Sequence, residues 1–214
     1  MSHSMPPRWH DVSMEISSSM PVYKNRAEKR PVFEITSNFP EQPIRETRVH
    51  LDVHTGTHVD APLHMAPDGN PIDTIGLDQL VRPCSVDDVT QVDDAIHRAD
   101  LAHLDIQQGD FLVFKTRNSQ VDAFDPAFVY LAEDAATWLA QRAIAGVGID
   151  GLGVERSQPG HPTHKALFSV GAVIIEGLRL RDIPAGSYWM IALPIRLAGL
   201  DAAPARVLLA PMER

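Results

Sequence analysis

Disulfides, membrane spans and nucleic-acid footprints are all missing from this 214-residue sequence. Its one cysteine, Cys84, cannot close an intramolecular bridge. A lone thiol suits a reducing compartment, so the expectation is a cytoplasmic protein. No apolar run approaches the ~20 residues a transmembrane helix needs, and residues 1–20 lack the apolar core of a secretory signal. Lysine and arginine number 19 against 28 acids, a formal charge of −9. The cations also fail to cluster, because the densest basic stretch, residues 24–30, contains Glu28. Backbone binding to nucleic acid needs such a cluster, so neither nucleic acid nor membrane is an expected partner. Tyrosine and tryptophan are scarce at three each, whereas 17 prolines and 13 glycines indicate many short elements joined by firm turns.

With no repeat, low-complexity tract or linker, the whole chain, residues 1–214, reads as a single domain. A chain this long can bury roughly 70% of its unfolded surface and needs no staple. Val32-Phe-Glu-Ile-Thr alternates as a strand does. So does Arg48-Val-His-Leu-Asp-Val-His54, with Val49, Leu51 and Val53 on one face and His50, Asp52 and His54 on the other. Gly56 and Pro62 interrupt that pattern, and Ala66-Pro-Asp-Gly-Asn-Pro71 is turn chemistry. Further on, Cys84-Ser-Val-Asp-Asp-Val, Phe111-Leu-Val-Phe after the Gly109-Asp turn, Gly146-Val-Gly-Ile149 and Ala172-Val-Ile-Ile-Glu176 read as strands. So do residues 188–193 and 206–209. Helices are expected over residues 93–103, 134–143 and 163–170, the last capped by Thr163. Strands at both ends with helices between indicate a mixed α/β or α+β domain.

Four of the ten histidines fall within residues 50–64. His54, His58 and Asp60 combine two imidazoles with a carboxylate, a donor set that suits zinc, manganese or ferrous iron. A chain that turns at Gly56 can bring all three to one ion, with Thr55 and Thr57 orienting them from behind. Past Pro62, which fixes its own φ and restricts Ala61, comes His64. A histidine delivered beside a metal can accept a proton from water, and its ordinary pKa of ~6.5 suits that task. Two other readings of the run are a polar turn with hydrogen-bonded histidines and a structural zinc site, although the latter usually closes four ligands with cysteine among them.

Downstream, His161 and His164 flank Pro162-Thr163, and Glu176 ends an apolar strand. Taken alone, His164 is a helix-start histidine and Glu176 a strand-end acid. A carboxylate after four apolar residues is nonetheless costly to bury without a partner, and a metal would be one.

The run His54-Thr-Gly-Thr-His58-Val-Asp60-Ala-Pro-Leu-His64 resembles the H-x-G-T-H-x-D-x-P-x-H signature of the cyclase-like metal hydrolases, which include bacterial kynurenine formamidase (arylformamidase) and isatin hydrolase. Met20-Pro-Val-Tyr-Lys-Asn, Gly109-Asp-Phe-Leu-Val-Phe-Lys-Thr, Ile175-Glu-Gly-Leu and Ile191-Ala-Leu-Pro-Ile-Arg-Leu-Ala-Gly-Leu-Asp201 also read like family segments, so the likeness spans most of the chain. It implies a swivelling β/β/α fold, α/β in class, assembled as dimers or tetramers. It implies a first divalent ion, zinc or alternatively manganese, on His54, His58 and Asp60. Asp60 would bridge to a second ion on His164 and Glu176, which have the family's twelve-residue spacing, and His64 would be the catalytic base. Formamidases carry tryptophan in an early Pro-x-Trp-Pro-Gly-Asp segment that packs on the substrate. This chain has Pro21-Val-Tyr23-Lys-Asn25 there, which makes Tyr23, with Phe33 or Phe39, a candidate for the pocket wall.

The function implied is hydrolysis of a small amide-type substrate, an N-formyl arylamine such as formylkynurenine or a cyclic amide, by water activated on the metal. The alternatives are a cyclising or dehydrating enzyme on the same site, as the family name records, and a non-catalytic metal-binding module, which would have no use for His64.

Overall fold

The computed structural model describes residues 8–212. The first seven residues of the amino-terminal stretch read for a signal therefore lie outside the described residues. Twelve strands run in the order β1 His10–Asp11, β2 Val32–Ser37, β3 Glu46–His50, β4 His58–Asp60, β5 Val81–Asp88, β6 Ala95–Ile96, β7 Phe111–Lys115, β8 Tyr130–Leu131, β9 Gly146–Ile149, β10 Val173–Glu176, β11 Gly186–Pro194 and β12 Ala202–Pro211. Three α-helices, α1 Leu77–Leu80, α2 Glu133–Ala140 and α3 Pro162–Phe168, and several 3-10 turns connect them. The class is mixed α/β, as expected.

Strands β12, β11, β5, β7, β9, β10 and β4 hydrogen-bond in that order, and β4 pairs back onto β12, closing a seven-stranded barrel. The parallel run β5-β7-β9-β10 is the most apolar part of the chain. Parallel strands covered on both faces read as continuous hydrophobic runs, and Phe111-Leu-Val-Phe and Val173-Ile-Ile do so. The period of two sorts these residues between two cores. Val59, Val86, Phe111, Val113, Val173, Ile175, Met190 and Val207 fill the barrel, while Leu112, Phe114, Val147, Ile149 and Ile174 meet Ala135, Leu139 and Leu167 of α2 and α3 outside it. Among the described residues, no helix is long and apolar enough to cross a membrane.

Cys84 lies inside the barrel, 5% exposed, where burial pushes its thiol up to about 12. The thiolate is the reactive form. A thiol-reactive dye should therefore label native protein far more slowly than unfolded protein; equal rates would place Cys84 at the surface.

Several local expectations change. The strand expected from Arg48 to His54 ends at His50, and residues 51–57 are turns, with Thr55 Oγ1 donating to the Asp52 carbonyl. Strands β2 and β3 form a hairpin of their own. Phe33 and Phe39 are exposed on it or beside it, apart from the cavity that Phe124 and Phe128 line within this chain. The helix expected over 93–103 is instead strand β6, paired in parallel with β8, followed by a 3-10 turn at Arg98–Leu101. The sheet pairing overrides local propensity there. Thr163 is not the cap of α3. His161 occupies that position with φ 55°, Pro162 takes the first turn, and the Thr163 hydroxyl donates to the Leu131 carbonyl.

Candidate metal centre

The barrel seam builds the site. Strand β4 lies antiparallel between β10 and β12, and its register sets His58 opposite both Glu176 and Pro204, with Asp60 opposite Ile174 and Ala202. Val59 points into the barrel, so its neighbours His58 and Asp60 point outward on the other side of the strand. The same alternation puts Glu176 outward with Ile174, on the side α3 covers. Asp201, just before β12, is held against β4 by its carbonyl, which accepts the Ala61 amide at 2.9 Å. The turn preceding β4 presses on Gly177, whose φ is +70° and where a Cβ would collide with the Gly56 carbonyl. Thr57 locks the same contact, donating to the Gly177 carbonyl at 2.6 Å and accepting the Met14 amide at 2.7 Å. Thr55 and Thr57 thus orient backbone, not the imidazoles as expected.

The predicted residues converge. Asp60 Oδ1 lies 2.9 Å from His54 Nδ1 and 3.4 Å from His58 Nε2. Its other oxygen, Oδ2, lies 3.6 Å from His164 Nε2. Glu176 spans the same gap, with Oε2 3.3 Å from His58 Nε2 and Oε1 3.5 Å from His164 Nε2. His64 is the most exposed histidine of the cluster, with 30% of its side chain accessible and its ring centroid 4.2 Å from that of His54. His50, by contrast, is outside the cluster on the exposed hairpin beside Glu34.

Two acids that the sequence did not single out stand behind the imidazoles. Asp201 Oδ2 lies 2.9 Å from His54 Nε2 and 3.4 Å from His64 Nδ1. Glu155 Oε2 lies 2.7 Å from His164 Nδ1. The third imidazole, His58, donates Nδ1–H to the Gly56 carbonyl at 2.9 Å. An imidazole that spends one nitrogen on an acceptor presents a lone pair on the other, and this arrangement is typical behind metal-binding histidines. The free nitrogens, His54 Nδ1, His58 Nε2 and His164 Nε2, all face Asp60.

The site fits a cation on a second count. His58 Nε2 and both Asp60 oxygens are buried without a hydrogen-bond partner. Unpartnered buried polar atoms are rare and costly, and a divalent ion is a partner that all of them accept. His54, His58 and Asp60 offer ligand atoms within 4.8 Å of one another, as do Asp60, His64 and His164.

Charge follows the same lines. Burial acts to lower the His58 pKa, but the Asp60 and Glu176 carboxylates 3.4 and 3.3 Å from Nε2 outweigh it and raise the imidazole to about 10. His164 is likewise raised well above 6.5 against burial by Asp60, Glu155 and Glu176. Burial and the Asp60 charge act to raise Glu176, yet His164 and His58 hold it at about 2. His64 goes the other way, with burial pushing it below its ordinary value. Without metal, His58 gains stability from its proton fully below its unfolded value of 6.5 and loses it as pH rises towards about 10. The melting temperature of chelator-stripped protein should therefore fall across that window, while the gain on adding metal, which displaces those protons, should grow. A flat profile for the stripped protein would remove the imidazole–carboxylate pairing.

Tyr23 stands near this cluster. Its phenol is raised by burial and then by the Glu176 charge, and its ring meets Phe124 and Phe128 edge-on at 5.4 and 6.3 Å. Phe124 and Phe128, together with Met14 and Leu152, line an adjoining cavity. Isolated aromatics in a loop carry no pattern that the sequence could reveal.

Comparison with known proteins finds the Cyclase family model, described as "Putative cyclase", matching residues 10–156. Kynurenine formamidase of Salinibacter ruber is 34% identical over 202 residues, covering 93% of this chain and 95% of that protein. A solved structure from Bacillus stearothermophilus, described as a predicted metal-dependent hydrolase, is 55% identical with a TM-score of 0.88, covering 96% of this chain and 98% of that one. Isatin hydrolase A of Ralstonia solanacearum shares the fold at a TM-score of 0.82 and 23% identity, covering 96% of this chain and 92% of that one.

Proposed function

This chain belongs to the Cyclase family, and from that membership we propose that it is a metal-dependent hydrolase of a small amide-type substrate, an N-formyl arylamine or a cyclic amide. The observation that carries this is the buried, unpartnered Asp60 carboxylate facing three imidazole nitrogens. The likeness to a formamidase and to a metal-dependent hydrolase supports the reaction class.

His54, His58 and Asp60 would hold one divalent ion. His164 and Glu176, sharing Asp60, would hold another; zinc suits these donors best and manganese is the alternative. Such ions supply Lewis acidity at a carbonyl and lower the pKa of water from 15.7 towards ~7. The protein's own residues do the rest. His64, kept neutral by burial, accepts the proton of the attacking water and returns it to the leaving nitrogen. Asp201, on the Nδ1 side of His64, leaves Nε2 for that transfer. Tyr23, backed by Phe124 and Phe128, offers an aromatic wall for the substrate ring.

Protein purified without chelator should contain one to two divalent ions per chain by elemental analysis, and should hydrolyse formyl-anilide or isatin-like amides when zinc or manganese is supplied. A stoichiometry near zero after careful reconstitution would sink the proposal.

A further inference from the structure

Glu155 is nearly buried, 5% exposed, in the loop between β9 and α3. One of its oxygens does two jobs at once. Oε2 accepts the backbone N–H of His164 at 3.0 Å and lies 2.7 Å from Nδ1 of the same residue. The other oxygen, Oε1, is buried without a hydrogen-bond partner and lies 3.6 Å from Nδ1 of the exposed His161. A buried carboxylate is costly to desolvate, and among the described residues the Glu155 oxygens meet no lysine or arginine, only the two histidines. Its position is therefore explained by what it does to His164.

We propose that Glu155 is the positioning residue of the second metal site: it holds the first turn of α3 by the His164 amide and takes Nδ1–H, so that His164 Nε2 faces Asp60 and Glu176. This rests on the metal reading above. Two bonds to one oxygen fix both the backbone and the ring, and with them the nitrogen that meets the ion. His164 Nε2 then lies 3.6 Å from Asp60 Oδ2 and 3.5 Å from Glu176 Oε1. The His54 ring likewise has an acid behind it, Asp201 at 2.9 Å from Nε2, while the central His58 uses a backbone carbonyl.

The test compares Glu155→Ala and Glu155→Gln with the unaltered protein, measuring zinc affinity by competition with a chelating dye and the thermal melting of the stripped proteins. Loss of an acceptor behind a metal-bound histidine weakens metal ~10- to 100-fold. Glu155→Ala should show that loss at one of the two sites only. Glu155→Gln keeps an oxygen for both donors and should recover most of the affinity, which a residue needed only for folding would not produce. If Glu155→Ala does not fold, Glu155→Met fills the space without an acceptor and serves instead. Equal affinity in all the proteins overturns the proposal, and so does an equal loss in the alanine and glutamine variants, which would assign the effect to charge alone. If the unaltered protein binds no zinc, it is the metal reading that has failed.

Discussion

Replacing His64 with alanine should lower kcat by ~10²- to 10⁴-fold, the usual worth of a positioned general base, while metal content stays unchanged. That is about 3–5 kcal/mol of transition-state stabilisation. The case rests on where His64 differs from its neighbours. His54, His58 and His164 are all raised in pKa by the carboxylates they face. His64 alone among the four is lowered, by burial, so at neutral pH it has a lone pair to offer. It is also the most accessible of them at 30%, against 17% for His54, 2% for His58 and 7% for His164. The competing role is that of a ligand, because His64 offers an atom within 4.8 Å of atoms of Asp60 and His164. The two roles separate in one experiment. A base lost gives full metal occupancy and a fall in kcat with little change in KM; a ligand lost gives depleted metal and a fall that added zinc repairs. His64→Gln, which can hydrogen-bond but cannot take the proton, should behave like the alanine variant. If it retains turnover, His64 is not the base.

The parts of this site that could be read from sequence are those in which chemistry and spacing coincide. His54, His58, Asp60 and His64 lie within eleven residues, and a strand with a turn on either side is all that is needed to bring them together. His164 and Glu176 became legible as a pair through family likeness, since the one local signal, an acid ending an apolar strand at Glu176, does not point to His164. Asp201 and Glu155 were missed for a physical reason. Each is a single acid whose role depends on the partner that the barrel seam or the α3 turn delivers, and sequence spacing says nothing about that. Asp201 reaches His54 only because β12 closes on β4. The errors in the fold have the same origin. Val49 alternates correctly for a strand, yet β3 stops at His50 because residues 51–57 are recruited by Asp52, whose carboxylate accepts the His54 amide and whose carbonyl accepts the Thr55 hydroxyl. Ala95 and Ile96 look helical by composition but are claimed by β8. The well-read strands were those of the barrel wall, where burial on both faces leaves a plain apolar run.

Asp60→Asn should abolish metal binding and with it all measurable turnover, a loss on the order of 10⁴-fold or more, since water left at its bulk pKa of 15.7 is ~9 units harder to deprotonate than metal-bound water at ~7. Among the described residues, Asp60 is the carboxylate within ion-pair reach of His54, His58 and His164 together, Oδ1 towards His54 and His58 and Oδ2 towards His164. Glu176 reaches His58 and His164 but is not within ion-pair reach of His54. Asparagine preserves the shape and keeps one oxygen, but its amide nitrogen is a donor and it carries no charge. One side of the cluster would then meet an N–H where it needs a lone pair. Elemental analysis should find both ions missing, and circular dichroism should find the fold intact. The stripped variant should also show a shallower decline in melting temperature above pH 6.5, because the nearby Asp60 carboxylate is the leading influence that raises His58 and His164 against burial. Retention of one ion would show that Asp60 serves a single metal. Retention of the full wild-type stoichiometry would remove Asp60 from the ligand set, and the unpartnered oxygens would then need another explanation.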